Sequence, residues 1–262
     1  MINKILKVIK MKRAERSEFL LKKLNQLPFK YKKSNGKYLF LNYQPASYVD
    51  FNKHQEFEGL YKKFIKQNHE NNSGDIIRLW SLILNIKQIL EENIEGDFAE
   101  LGVWRGNTAA ILAYYAKNFG RKVILYDTFE GFDKKDLTGV DADIRMSFSN
   151  TSIEVAKDVI GECANVCEFN KGYFPSTIQD HHRQSRFSLV SLDCDLYEPM
   201  KEGLKFFYPL MSKGGIFFLH DYSSNCWPGA KLAIDEFCRE SEENLILIAD
   251  LAGSAFFRKT KG

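Results

Sequence analysis

At 262 residues the chain is long enough for a sizeable core, as one α/β domain with an appendage or as two small domains. Hydrophobic residues at 44% and charged residues at 27% exclude a disordered chain, and no apolar run reaches the length of a membrane span. The net charge of +3 is unevenly spread: Met1 to Lys33 carries nine lysines and two arginines against Glu15 and Glu18, which is +9 and leaves −6 for the rest.

The leading residues read as helical and then irregular, with Ile5, Val8, Ile9, Phe19, Leu20 and Leu24 set among lysines. Lysine interrupts each apolar run, so no secretory h-region forms. Such a basic arm is either a solvated helix or a contact for an acidic surface, a second copy of the chain included, so a homo-oligomer is an open expectation. "NHENNSGD", Asn68 to Asp75, is polar and turn-rich. It divides the chain into a basic extension, 1–74, and a main domain, 75–262. The five cysteines are odd in number and lack C-x-x-C spacing, which signals neither a zinc site nor a disulfide framework and favours a reducing, cytoplasmic setting.

The main domain opens with a helix, "DIIRLWSLILNIKQILEEN", N-capped by Asp75. Strands then alternate with helices. "GDFAELG" is a strand, and "NTAAILAYYAKNFG" a helix capped by Asn107 or Thr108 and stopped by Gly120. "KVILYD" and "TSIEVAKDVIGE" repeat the unit, followed by a weak strand "VCEFNKG", a short helix near Thr177 to His182, and a buried strand "FSLVSLDCD". "PMKEGLKFFYPLM" is helical, "GGIFFLHDY" a fifth strand, and "PGAKLAIDEFCRE" a helix with Pro228 in its first turn. "NLILIAD" and "SAFFRK" are too close for a crossover helix and should pair antiparallel. The sum is a doubly wound, mostly parallel α/β sheet of about seven strands, Rossmann-like, with an antiparallel C-terminal strand.

Ligands of such sheets bind at the carboxyl ends of the strands. The first strand runs into "ELGVWRGNTA". A dinucleotide fingerprint beginning at Gly102 would place Trp104 where backbone must approach a pyrophosphate, and the indole argues against a nicotinamide dehydrogenase. A glycine turn preceded by Glu100 and followed by a helix start suits a nucleoside cofactor without phosphate, a cationic one especially. The candidate cofactor turn is therefore Glu100, Gly102, Trp104, Arg105, Gly106, Asn107 and Thr108. Asp127, ending the second strand, is placed to accept from ribose hydroxyls. Lys171 and Tyr173 either approach the adenine edge or merely end the third strand.

The fourth strand ends in two carboxylates, Asp193 and Asp195, which share a face if strand geometry continues through them. The fifth ends in His220-Asp221. Like charges so close need a positive partner, such as a divalent cation or a cationic cofactor. The bland alternative makes Asp193 and Asp195 caps for the turn and the helix near Glu198. His181 and His182 lie in a polar stretch and read as surface. Trp227 and Tyr222 could pack a sugar ring or the core.

"GDFAELGVWRGNTA", "YDTFEGF", "NKGYFPST", "LDCDLYEPMKEGLKFFYPLMSKGGIFFLHDY" and "PGAKLAIDEF" together resemble the macrocin O-methyltransferase (TylF) family, over roughly Gly96 to Phe237. The resemblance implies an S-adenosylmethionine-dependent methyltransferase with a divalent metal, magnesium usually, and a sugar hydroxyl as acceptor. Carried over position by position, it puts Glu100 and Gly102 in the cofactor loop and Asp127 at the ribose. Asp193 falls beside the cofactor and, with His220 and Asp221, at the metal, while Asp195 falls at the general base. His220 departs from the family's adjacent aspartates. Three arrangements stay open: a softer ion such as manganese, a metal held by Asp193 and Asp221 alone, or no metal with His220 as base. A small-molecule or saccharide acceptor is expected, nucleic acid is not, and a non-catalytic nucleoside-binding scaffold is the competing reading. Asp133 to Asn150, long and polar, is a candidate mobile flap over the site.

Overall fold

The computed structural model describes residues 75–261. The basic leader, the joint before Asp75 and the expectations attached to them lie outside the described residues. No helix among the described residues is long and apolar enough to cross a membrane.

The first described helix, α1 (Ile76–Glu91), starts at Asp75, whose carboxylate accepts the backbone N–H of Arg78 at 3.0 Å. Its apolar stripe, from Leu79 and Trp80 to Ile86 and Ile89, is buried. Then follow β1 (Asp97–Leu101), α2 (Asn107–Asn118), β2 (Val123–Asp127), α3 (Ile153–Ile160) and β3 (Cys167–Lys171). The second half holds β4 (Phe187–Leu192), α4 (Tyr197–Leu210), β5 (Met211–Leu219), α5 (Pro228–Ser241), β6 (Ile246–Leu247) and β7 (Ala255–Arg258). The seven strands form one sheet in the order β3-β2-β1-β4-β5-β7-β6. β1 to β5 run parallel, and β7 is antiparallel to both β5 and β6.

Strand β4 is buried at every position and β1 at four of five, as a parallel sheet covered on both faces requires. The predicted short helix near Thr177 is a 3₁₀ turn displaced to Asp180–Gln184. The cap of α2 also differs: it is Gly106, at φ +82°, without a side-chain cap, because the left-handed turn enters the helix before Asn107.

Register sets up the site. Tyr126, Leu101, Leu192 and Leu219 are partners in one row across β2, β1, β4 and β5. The residues immediately past that row are Asp127, Gly102, Asp193 and His220. They stand side by side along the sheet's carboxyl edge, at the point where β1 has β2 on one flank and β4 on the other.

Candidate active site

A cavity of about 400 Å³ opens on this edge. Its wall takes Gly102 and Trp104 from the first turn, Asp127 from β2, Asp193 and Asp195 from β4, and His220 and Asp221 from β5. Glu100 is not in the wall; it is 1% exposed, and burial followed by the charge of Asp193 holds its carboxyl well above the usual range. Arg105, Gly106, Asn107, Thr108 and Lys171 do not line the cavity; Lys171 pairs instead with Glu130 at 2.7 Å. Tyr173 does line the cavity, its hydroxyl donating to Asp136 at 2.8 Å.

The turn after β1 is folded tightly. Gly102 has φ +88°, and a Cβ there would lie 2.0 Å from the carbonyl oxygen of Asp193. Only glycine permits that approach between the ends of β1 and β4. Asp127 laces the turn from the other side, accepting N–H groups of Val103 at 2.7 Å, Trp104 at 2.8 Å and Phe129 at 2.6 Å. Burial raises its carboxyl, and those three donors pull against the shift.

Asp193 and Asp195 come together for a different reason from strand alternation. Strand β4 ends at Leu192, and Asp195 turns back through a left-handed backbone at φ +61°. Neither is a conventional helix cap, since α4 is preceded by Leu196 without a side-chain bond. One oxygen of Asp193 is 2.6 Å from Nδ1 of His220, and Asp221 approaches the same nitrogen at 2.5 Å. The other oxygen of Asp193 is ion-paired with Arg78, whose guanidinium also donates to Thr108 at 3.0 Å.

Arg78 is the functional residue that the sequence reading missed. Its signal was a lone cation in the apolar run "DIIRLWSLIL". It answers the charge problem in part. Burial pushes the Asp193 carboxyl up, yet Arg78 and then His220 outweigh burial and hold it below the usual range. Burial and Arg78 push the His220 imidazole down, while Asp193 and Asp221 prevail and lift it to about 9. Asp195 goes the other way: burial, then the charges of Asp193 and Asp221, hold its carboxyl well above the ordinary value.

The donor set suits a divalent cation. Ligand atoms of Asp193, Asp195, His220 and Asp221 all lie within 4.8 Å of one another. Nδ1 of His220, crowded by two carboxylate oxygens, makes no well-directed hydrogen bond with either. Three carboxylates and an imidazole converging in this way fit a shared cation, which would displace the imidazole proton on binding, and a nitrogen donor favours manganese over magnesium. A second cluster, Glu168, His181 and His182, does not fit one. Gln179 N–H donates to Nδ1 of His182 at 3.1 Å, so Nε2 carries the proton and meets Glu168 at 2.7 Å. With both nitrogens so used, the ring has no lone pair for a metal.

Aromatic rings close the cavity's outer wall. Phe148 lies 5.3 Å from Trp104, and Phe132 lies 5.8 Å from Trp227, both edge-to-face. Tyr222 is not on this wall; its hydroxyl donates to Asp235 at 2.7 Å.

The macrocin-O-methyltransferase (TylF) family matches residues 74–259. A 4'-O-methyltransferase of Streptomyces olivaceus, acting on 8-demethyl-8-(2,3-dimethoxy-alpha-L-rhamnosyl)-tetracenomycin C, is 28% identical over 158 residues, 56% of this chain. The mycinamicin III 3''-O-methyltransferase of Micromonospora griseorubida is 26% identical over 174 residues, 61% of this chain. The matched part spans 60% of the first relative and 67% of the second. Among solved structures, the O-methyltransferase NovP superposes with a TM-score of 0.61 at 24% identity, covering 71% of this chain and 81% of its own. The calicheamicin methyltransferase CalS11 gives 0.59 at 20% identity, covering 95% and 94%. At these identities the two structures speak for the fold, a methyltransferase sheet of the Rossmann type.

Proposed function

Because the chain belongs to the macrocin O-methyltransferase (TylF) family, we propose that it transfers the methyl group of S-adenosylmethionine to a hydroxyl of a saccharide or glycosylated small molecule, assisted by a divalent metal. The observation that carries this reading is the single cavity that joins the Gly102 turn to the cluster of Asp193, Asp195, His220 and Asp221. Similarity to enzymes named for methylating sugar hydroxyls of tetracenomycin and mycinamicin supports the acceptor class.

Transfer is an in-line displacement: the hydroxyl oxygen forms a bond to the methyl carbon as the carbon–sulfur bond breaks, leaving the thioether S-adenosylhomocysteine. The residues have distinct parts in it. The backbone from Gly102 to Trp104, held by Asp127, seats the nucleoside end, and the anionic edge favours the sulfonium. Asp193, His220 and Asp221 would hold the metal, which when bound would lower the pKa of an acceptor hydroxyl. Asp195, beside them, would accept the hydroxyl proton in its ionised form, which burial beside Asp193 and Asp221 disfavours and a bound cation's charge would favour. Nδ1 of His220 lies against Asp193 and Asp221 without a directed hydrogen bond to either, so it would join them as a ligand, and Asp195 is left as the base. The aromatic wall packs the face of the acceptor and excludes water.

Titration calorimetry with S-adenosylhomocysteine tests the cofactor assignment. Saturable binding to a single site is expected, and its absence at millimolar ligand would remove the proposal.

A further inference from the structure

The segment Phe129–Asn150, between β2 and α3, forms a wall of the cavity through Phe132, Met146 and Phe148. Its ends are tied at the cofactor turn: Trp104 Nε1 donates to Asn150 at 3.0 Å, and the Thr151 hydroxyl donates to the Trp104 carbonyl. Phe132 N–H donates to the Ser147 carbonyl at 3.2 Å and closes the neck. The far end of the segment carries Asp141, which has no exposed surface.

Asp141 lies at the first turns of two helices that lack side-chain caps of their own, since neither Leu196 before α4 nor Trp227 before α5 makes a side-chain cap bond. Its Oδ2 accepts the N–H of Tyr197, the first residue of α4, at 2.8 Å. Gly229, in the first turn of α5, lies against the same carboxylate, whose Oδ1 is buried and accepts no directed hydrogen bond. A Cβ at 229 would lie 2.2 and 2.4 Å from the two carboxylate oxygens, so glycine alone leaves them room. First-turn N–H groups have no partner within their helix and carry partial positive charge, so the Asp141 carboxylate caps α4 directly and sets a buried negative charge against the first turn of α5.

The places it touches are those the chemistry depends on. Tyr197 closely follows Asp195, and Gly229 closely follows Trp227 of the aromatic wall. We propose that Asp141 is a positioning residue: it couples the flap to the turn bearing Asp195 and to the Trp227 loop, so that acceptor wall and proton acceptor assemble as one unit. This rests on Asp195 as the proton acceptor proposed above. Asp127 also holds the cofactor turn, through the N–H groups of Val103 and Trp104, and touches neither helix start that Asp141 meets.

The test compares Asp141→Ala, Asp141→Asn, Gly229→Ala and the double variant Asp141→Ala/Gly229→Ala. Each is measured for S-adenosylhomocysteine affinity, for kcat and acceptor KM, and for the rate of proteolysis within residues 129–150 of the native protein. Asp141→Ala should lower kcat/KM by about 10- to 100-fold while cofactor affinity stays within about twofold. Cleavage of the flap should accelerate, and Asp141→Asn, which keeps a carbonyl acceptor, should restore most of the loss. Gly229→Ala alone should reproduce the defect, yet in the Asp141→Ala background it should add less than about twofold, because no carboxylate remains to collide.

Wild-type turnover and cleavage in Asp141→Ala would overturn the proposal. So would cofactor affinity falling in step with turnover, or single-variant effects that simply multiply. Where Asp141→Ala does not fold, Asp141→Asn and Gly229→Ala give the same comparison. A wild-type protein that transfers no methyl group defeats the catalytic reading instead, while proteolysis and the double variant still decide the coupling.

Discussion

Arg78, in the first turn of α1, and Asp193, the first residue past β4, form an ion pair whose side chains are only 8% and 20% exposed. A buried pair need not add stability over apolar replacements, but removing one partner strands the other's charge, at about 3–5 kcal/mol. Arg78→Met should therefore lower the denaturant-unfolding free energy by about that amount, at the upper end without metal. An unchanged unfolding midpoint would mean that the pair does not hold Asp193 in place.

Gly102 is the second point at which geometry leaves no choice. A methyl group there would meet the Asp193 carbonyl at 2.0 Å, in a backbone conformation that side chains disfavour. Gly102→Ala should weaken S-adenosylhomocysteine binding by at least about tenfold, since left-handed strain and displacement together cost more than about 1.4 kcal/mol. Calorimetry on the folded variant reads this directly, and wild-type affinity would count against the turn as the cofactor seat.

Removing metal tests the carboxylate cluster. Protein dialysed against EDTA should lose methyl transfer and recover it with manganese more readily than with magnesium. Manganese should also raise the thermal midpoint, since a ligand at about 100 times its Kd adds roughly 2.7 kcal/mol to the native state. Asp221→Asn should abolish both responses. Full activity in EDTA would leave only the metal-free arrangement.

A pH-dependent contribution to stability lies away from the site, at Glu168. Burial raises its carboxyl, but His182 and His181 outweigh burial and set it below the ordinary value. An acid lowered in the folded state stabilises above its unfolded pKa, and that contribution fades as pH falls through the folded value. Glu168→Ala should cost about 1–3 kcal/mol at pH 7, by leaving the buried Nε2–H of His182 unpaired. The gap between variant and wild type should narrow below the carboxylate range. Thermal melts at pH 7 and pH 4 give the comparison, and a gap that widened in acid would contradict it.

Much of this architecture was legible in the chain because it depends on local pattern. Apolar runs such as "KVILYD" and "FSLVSL" bounded by turns became β2 and β4, and the short spacing between the last two strands became an antiparallel pair. The residues gathered at the carboxyl edge were also visible, since each directly ends a strand. What escaped depends on contacts distant in sequence. Arg78 looked like an ordinary helix cation until Asp193, 115 residues on, was placed against it. Asp141 sat in a polar stretch typical of solvent loops, and nothing local showed two helix starts closing on it. Asp195 was placed beside Asp193 by alternation, whereas a left-handed backbone brings it there. The cap of α2 was assigned to Asn107 or Thr108 because polar side chains usually serve that position, but the backbone at Gly106 took it instead.

The most direct test of the central claim is the turnover of Asp195→Asn with labelled S-adenosylmethionine at saturating cofactor. The account predicts a kcat about 10²- to 10⁴-fold below wild type, the usual loss when a positioned base is removed. An Asn variant that transferred methyl groups at the wild-type rate would contradict it.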